Sequence, residues 1–215
     1  MIVSFFGQMA TAKDTAADYL VDQLNSISEV KWQRTAFANA VKDTFCNSFG
    51  VSRDFIEQWK RKSEIPDGLL MPLRQALQFI GDGFRKIKPN IWIEIALRND
   101  DPLIISDGRY LNESKEVKLK KGLSVVLYRD GFVNDDPNPS ESQMKPIASF
   151  CAKYLKDGPI PCIEELTEKY TDIPEGIENF DFFIHNDGTK EDFYQKIDSL
   201  LVPFVLNYYN LRKAA

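Results

Sequence analysis

An α/β fold, a parallel sheet with helices on both faces, is predicted by three features of this 215-residue sequence. Strand-like and helix-like segments alternate along the chain. The strand-like segments are continuous apolar runs, the pattern of strands covered on both faces rather than one. The first of them runs straight into a glycine loop and then a helix, the arrangement that opens many parallel sheets.

The elements follow in order. Residues 2–6 (IVSFF) are short, β-branched and aromatic, and Gly7 stops them. Residues 14–27 are expected to be a helix with Ala16, Ala17, Leu20, Leu24 and Ile27 on its inner face. Residues 30–37 suit a second strand, 38–49 a helix ending at Gly50, and 52–62 a short helix capped by Ser52. After an EIPDG turn, helices are expected over 72–80 and 90–99, the second with Ile91, Ile95 and Ala96 inward. Residues 102–110 and 123–130 are buried strands separated by an amphipathic helix over 112–121. A polar loop follows, then helices over 142–156 and 162–170 around a Gly-Pro break, a last strand and turn over 180–188, and a closing helix over 189–210. There is no repeat and no low-complexity segment.

Composition narrows the function. Hydrophobic content of 43% and charged content of 27% are those of a globular domain, and no apolar run approaches the roughly 18–20 residues a membrane span needs. No signal peptide is visible, and three widely spaced cysteines (Cys46, Cys151, Cys162) fit a reducing cytoplasm better than a disulfide framework. A net charge of −5 argues against a surface that is basic throughout. With His185 the single histidine, a Ser-His or Cys-His mechanism has one residue to draw on, whereas phosphoryl transfer needs none.

Ligands of parallel sheets sit at the carboxyl ends of the strands. Those ends carry Gly7 to Thr15, Asp107-Gly108-Arg109, Arg129 and Asn186-Asp187-Gly188. The first is the outline of a phosphate-binding loop, G-x-x-x-x-G-K-[ST]. Ala12 stands at the second glycine, and Asp14 stands where the hydroxyl residue would be, followed by Thr15. Backbone N–H groups at a helix start favour anions, and Lys13 adds a mobile cation. Alanine costs little at position 12 if its dihedrals are helical, and on the order of 1 kcal/mol or more if φ is positive. An active loop is expected to hold it in the helical region, and the loop is read as partly impaired but still able to bind nucleotide.

Several blocks, in order, resemble the deoxynucleoside monophosphate kinases of tailed bacteriophages, within the P-loop nucleoside monophosphate kinase-like superfamily. GQMATAKDTAADYL resembles G-x-x-x-S-G-K-D-T-x-A-D-x-(I/L), so Asp14 is a family trait and Ala12 the departure. TAFANAVKDTF resembles F-A-x-P-(L/I)-K, with Lys42 at the lysine. MPLRQALQFIGDG followed by Trp92 resembles R-x-L-(L/M)-Q-x-(L/I)-G-T with its tryptophan, placing Arg74, Gln78 and Gly81. ISDGRYLNE resembles D-x-R-x-x-x-E, and VVLYRD and HNDGTKEDF resemble the remaining strand ends. Together the blocks cover most of residues 1–129 and 180–200. Two more departures are Asn138-Pro139-Ser140-Glu141, where the family has H-x-(S/T)-E, and a longer stretch over 142–178.

The resemblance implies a P-loop NTPase-type parallel sheet of five strands in the order 2-3-1-4-5, a helical acceptor-nucleotide region over 38–100 and a lid-like insert over 130–178, all in a single domain. It implies transfer of the γ-phosphoryl group of ATP to a deoxynucleoside 5′-monophosphate with Mg²⁺. Gly7, Ala10, Thr11, Ala12, Lys13, Asp14 and Thr15 would hold ATP, with Arg129 beside them. Arg109, Arg74 and Lys42 would neutralise the acceptor phosphate and the transferring group. Thr15 and, through water, Asp107 would serve the metal, and Gln78 and Trp92 the acceptor base. The partners implied are the two nucleotides, without membrane or polymeric nucleic acid, and with a homodimer as candidate assembly in a host cytoplasm. Against the functional roles, Trp92 also fits a core residue, Arg74 and Gln78 solvated helix positions, and His185 a packed strand residue. Two other functions fit the same loop: a kinase acting on a modified base in DNA, and a catalytically impaired nucleotide-binding protein.

Overall fold

The computed structural model describes residues 1–99, 101–131 and 142–213. They form two compact units, one of residues 1–35 and 100–215 and one of residues 36–99. Among the described residues no helix is long and apolar enough to cross a membrane.

The first unit holds a six-stranded sheet made of β1 (Ile2–Phe6), β2 (Gln33–Thr35), β3 (Leu103–Gly108), β4 (Leu123–Tyr128), β5 (Gly158–Pro159) and β6 (Phe182–His185). Their order is β2-β3-β1-β4-β6-β5. The five strands other than β5 are parallel and lie in the predicted order. The two-residue β5 is antiparallel to β6, and the sequence reading had only a break there. Every residue of β1 is buried, as its unbroken apolar run requires. Val3 and Phe5 face a core built by Ala16, Ala17, Leu20 and Leu24 of α1 (Lys13–Ile27) and by Phe193 and Val205 of two C-terminal helices, α9 (Lys190–Lys196) and α10 (Val202–Lys213). The closing helix predicted over 189–210 is thus two helices joined by a π-helical turn over Ile197–Leu201. On its way past β1, α10 places the Tyr209 hydroxyl to accept from Ile2 N–H (2.9 Å) and donate to Ile2 C=O (2.5 Å).

Two corrections in this unit have local causes. Strand 30–37 shortens to 33–35 because the Asn25 side chain takes both backbone groups of Trp32, accepting from its N–H (2.8 Å) and donating to its carbonyl (3.1 Å). Ile27, expected inside, is 54% exposed in the last turn of α1. The remaining helices of the unit are α6 (Leu111–Leu119), α7 (Met144–Tyr154) and α8 (Ile163–Lys169). Helix α7 packs on β4 and buries Met144, Ile147, Ala148, Phe150 and Cys151. Residues 144–159 thus join the packing of the sheet, through this helix and through β5. The expected polar loop and the Asn138–Glu141 block lie outside the described residues.

The second unit is helical: α2 (Ala38–Phe49), α3 (Arg53–Trp59), α4 (Leu73–Ile87) and α5 (Ile91–Ala96). Phe45, Ile56 and Leu73 form its centre. Helix α4 runs seven residues beyond the predicted end at Ile80, through Gly81 and Gly83. Tertiary packing outweighs the glycine propensity here. Gly81 is buried, and its carbonyl accepts the Trp92 indole N–H at 3.0 Å. In α5 the inward set is Trp92 and Ile93, with Leu97 just beyond, in place of the predicted Ile91, Ile95 and Ala96.

Candidate functional site

The loop after β1 turns on a close approach. A Cβ on Gly7 would lie 2.5 Å from the Leu127 carbonyl oxygen and 2.8 Å from Thr11 Oγ1, so only glycine fits against β4. The Thr11 hydroxyl donates to Gln8 C=O at 3.0 Å. Ala10 and Ala12 both take positive φ, 61° and 72°. Ala12 is the N-cap of α1 in the left-handed region, and its carbonyl accepts the first helical bond, from Ala16 N–H at 2.9 Å. This overturns the expectation of helix-like dihedrals. The loop geometry requires the conformation that glycine supplies freely, and alanine carries the strain. We expect Ala12→Gly to stabilise the protein by ~1 kcal/mol, seen as a rise of ~2–4 °C in Tm. An unchanged or lower Tm would show that the loop relaxes around the methyl group.

Lys13 is strongly perturbed. It is 6% exposed, and its ammonium donates to Gly7 C=O and Gln8 C=O, each at 2.6 Å. Burial, and after it the charge of Arg109, push its pKa down to about 7, while Asp107, Asp14 and Glu113 pull the other way. Two cations and three carboxylates therefore act on one another at the carboxyl ends of β1 and β3.

The β3 end is set by two devices that the sequence did not reveal. Between the pairs Ser4–Ile105 and Phe6–Gly108, β3 has one residue more than β1, so a bulge falls at Ser106-Asp107. Bulges re-aim side chains beside sites. Gly108 permits this one, since a Cβ there would sit 2.5 Å from the Phe6 ring. Glu113, 3% exposed, accepts from the backbone N–H groups of Arg109 (2.8 Å) and Tyr110 (3.0 Å), which pins the turn carrying Arg109 to the start of α6. Its place in the D-x-R-x-x-x-E block was the available signal.

Arg34, the middle residue of β2, was also missed. Its guanidinium pairs with Asp14, with Asp18 at 2.6 Å and with Ser106 Oγ at 3.2 Å. Asp14 is thus held by Arg34 on an exposed face of α1. The spacing of Asp14 and Asp18, one helical turn apart, was the visible hint. Thr15 is half-buried in the first turn of α1, and Arg129 is exposed beyond β4. His185 is no plain core residue: its Nε2 lies 2.9 Å from Asp130, and its carbonyl accepts from Lys196, which also pairs with Asp157 (2.9 Å) and Asp187 (2.6 Å).

The remaining predicted residues lie in the helical unit. Lys42 pairs with Glu57 at 3.2 Å, and Glu57 also binds Lys60. Arg74 and Gln75, exposed in the first turn of α4, line a cleft of about 280 Å³ together with Lys60, Arg61, Lys62, Ser63 and Pro72. Gln78 is half-buried further along α4. Trp92 is 2% exposed and packs against Phe84, ring centroids 5.3 Å apart. No face of this ring is open to a base, and the expected stacking role gives way to a core one.

No family model matches the chain. Over 170 residues, 70% of this chain and 85% of the relative, it is 26% identical to a protein of Acanthamoeba polyphaga mimivirus named "Putative deoxynucleotide monophosphate kinase". Among solved structures it is similar to the shikimate kinase of Aquifex aeolicus (13% identity, 96% of this chain and 99% of that one, TM-score 0.43). It is also similar to the shikimate kinase of Acinetobacter baumannii in complex with shikimate (14% identity, 94% and 93%, TM-score 0.42).

Proposed function

We propose that the protein is an ATP-dependent kinase of deoxynucleoside monophosphates. The observation that carries this reading is the buried Lys13 ammonium, turned into the loop after β1 beside Arg109 and Asp107. Burial and the charge of Arg109 both disfavour the Lys13 ammonium, and a phosphate received there would offset both. The mimivirus relative's name supports the acceptor class.

Lys13 leaves the Gly7 and Gln8 carbonyls to bind the ATP phosphates. Arg109 neutralises the group in transfer, its position held through the Glu113 anchor. Arg74 and Lys42 bind the acceptor's phosphate, and Gln78 its base. Among the described residues no three carboxylate, histidine or cysteine side chains gather to hold a metal. The donor set fits magnesium carried by the nucleotide, with the Thr15 hydroxyl as one protein ligand and Asp107 orienting a bound water. Bound there, magnesium neutralises phosphate charge; the residues around it position and polarise.

The test is ADP release from ATP and Mg²⁺ with each of the four deoxynucleoside monophosphates in turn. We expect at least one to support turnover well above ATP alone, and Arg109→Lys to lower it ~10²–10³-fold. Four blank reactions with correctly folded protein would end the proposal.

A further inference from the structure

The net charge of the chain conceals a division. Residues 36–99 carry ten Lys or Arg against seven Asp or Glu, a net +3. The rest of the chain carries 17 against 25, a net −8. Within the helical unit the positive charge is concentrated at the cleft between the end of α3 and the start of α4. Lys60, Arg61, Lys62 and Arg74 line it with Ser63 and Gln75, and no carboxylate is among the lining residues.

Three features describe its ligand. A terminal phosphate monoester carries at most two negative charges, and with Lys60 already paired to Glu57 the cleft still presents three further cations, Arg61, Lys62 and Arg74. Arg61, Lys62, Ser63, Arg74 and Gln75 are all exposed, so the cleft is a surface track rather than a closed pocket. The Lys62 ammonium rests over the Trp59 ring, 4.3 Å from its centroid, and Lys60 is fixed by the same Glu57 that holds Lys42. Cations following one another beside an aromatic ring make the footprint of a single-strand site.

We infer that this cleft binds the phosphodiester groups of a short single strand, so that the nucleotide held by Arg74 can be the 5′-terminal one of an oligonucleotide. The inference rests on the proposed reading for the role of Arg74 alone. Beyond the phosphate that Arg74 holds, Arg61 and Lys62 take the following diester groups, and Lys60 the space between.

The test uses the full chain and a 5′-phosphorylated, 3′-labelled hexathymidylate, its anisotropy followed across a KCl series, with dTMP and inorganic triphosphate as competitors. We expect the hexamer to bind at least tenfold more tightly than dTMP. The logarithm of its affinity should fall with log salt at a slope of about −2 to −3, as three or four neutralised phosphates on a single strand require. The double variant Arg61→Gln/Lys62→Gln should lose at least tenfold in hexamer affinity and bring the slope near −1, with an unchanged circular-dichroism spectrum. Equal affinity for hexamer and dTMP, an unaltered slope in the double variant, or stronger binding of triphosphate than of hexamer would each overturn the inference. Turnover on free monophosphates is read separately: its absence sinks the proposed reaction and leaves the binding isotherms to decide the cleft.

Discussion

Lys13→Met is expected to abolish phosphoryl transfer, by ~10²–10³-fold or more, while leaving the protein folded and, below pH 7, at least as stable as the parent. Both effects come from one placement. The ammonium is 6% exposed, and its pKa is held at about 7 by burial and by the charge of Arg109. In the unfolded chain the same group titrates near 10.5. Between these values the unfolded chain binds more protons than the folded one, so the parent gains stability as pH rises through that window. Below pH 7 both states carry the proton, and the folded state bears the whole cost of burying it. The methionine variant has no such term. Its Tm, measured against the parent without nucleotide or metal, should therefore lie above it at pH 6.5. The difference should shrink by ~1–3 kcal/mol towards pH 9.5. A variant that unfolds, or that keeps turnover within a few-fold of the parent, would show that Lys13 serves the loop and not a ligand. A difference independent of pH would show that the buried ammonium stays charged throughout.

Gly7→Ala is expected to cost ~2–3 kcal/mol, a fall of ~5–10 °C in Tm, and to remove measurable ADP binding. The added Cβ would meet the Leu127 carbonyl oxygen at 2.5 Å. That oxygen belongs to the backbone of β4, which pairs with β1 on one side and β6 on the other, and cannot move aside alone. The loop must move instead, taking with it the carbonyls on which Lys13 rests. Thermal unfolding and calorimetric ADP titration check the two halves. A variant with parental Tm and ADP affinity would mean that the loop is soft, and that its register against β4 does not shape the site.

Much of this protein was legible from the chain alone, for a physical reason. A strand buried on both faces can be written only with apolar residues, so IVSFF, PLIIS and LSVVLY declared themselves, and with them the parallel sheet; its strand order was legible only through the family resemblance. Charged residues at strand ends could be picked out in the same way, because Asp107 and Arg109 stand at the end of one apolar run and Lys13 in the glycine loop that follows another.

What only the tertiary structure decided depends on contacts between distant residues. Helix propensity placed a break at Gly81; the Trp92 indole, bonded to the Gly81 carbonyl from the next helix, carries α4 through it. Position 12 reads as an alanine that either of two backbone states could hold. The left-handed one is set by how the loop meets β4 and the start of α1, a choice no local window contains. The bulge that aims Asp107, the Glu113 anchor under Arg109 and the grip of Arg34 on Asp14 are all pairings between elements. The basic cleft draws Lys60, Arg61 and Lys62 from one turn and Arg74 from a helix twelve residues on. In the sequence those charges average into a chain of net −5, and only packing gathers them at one place.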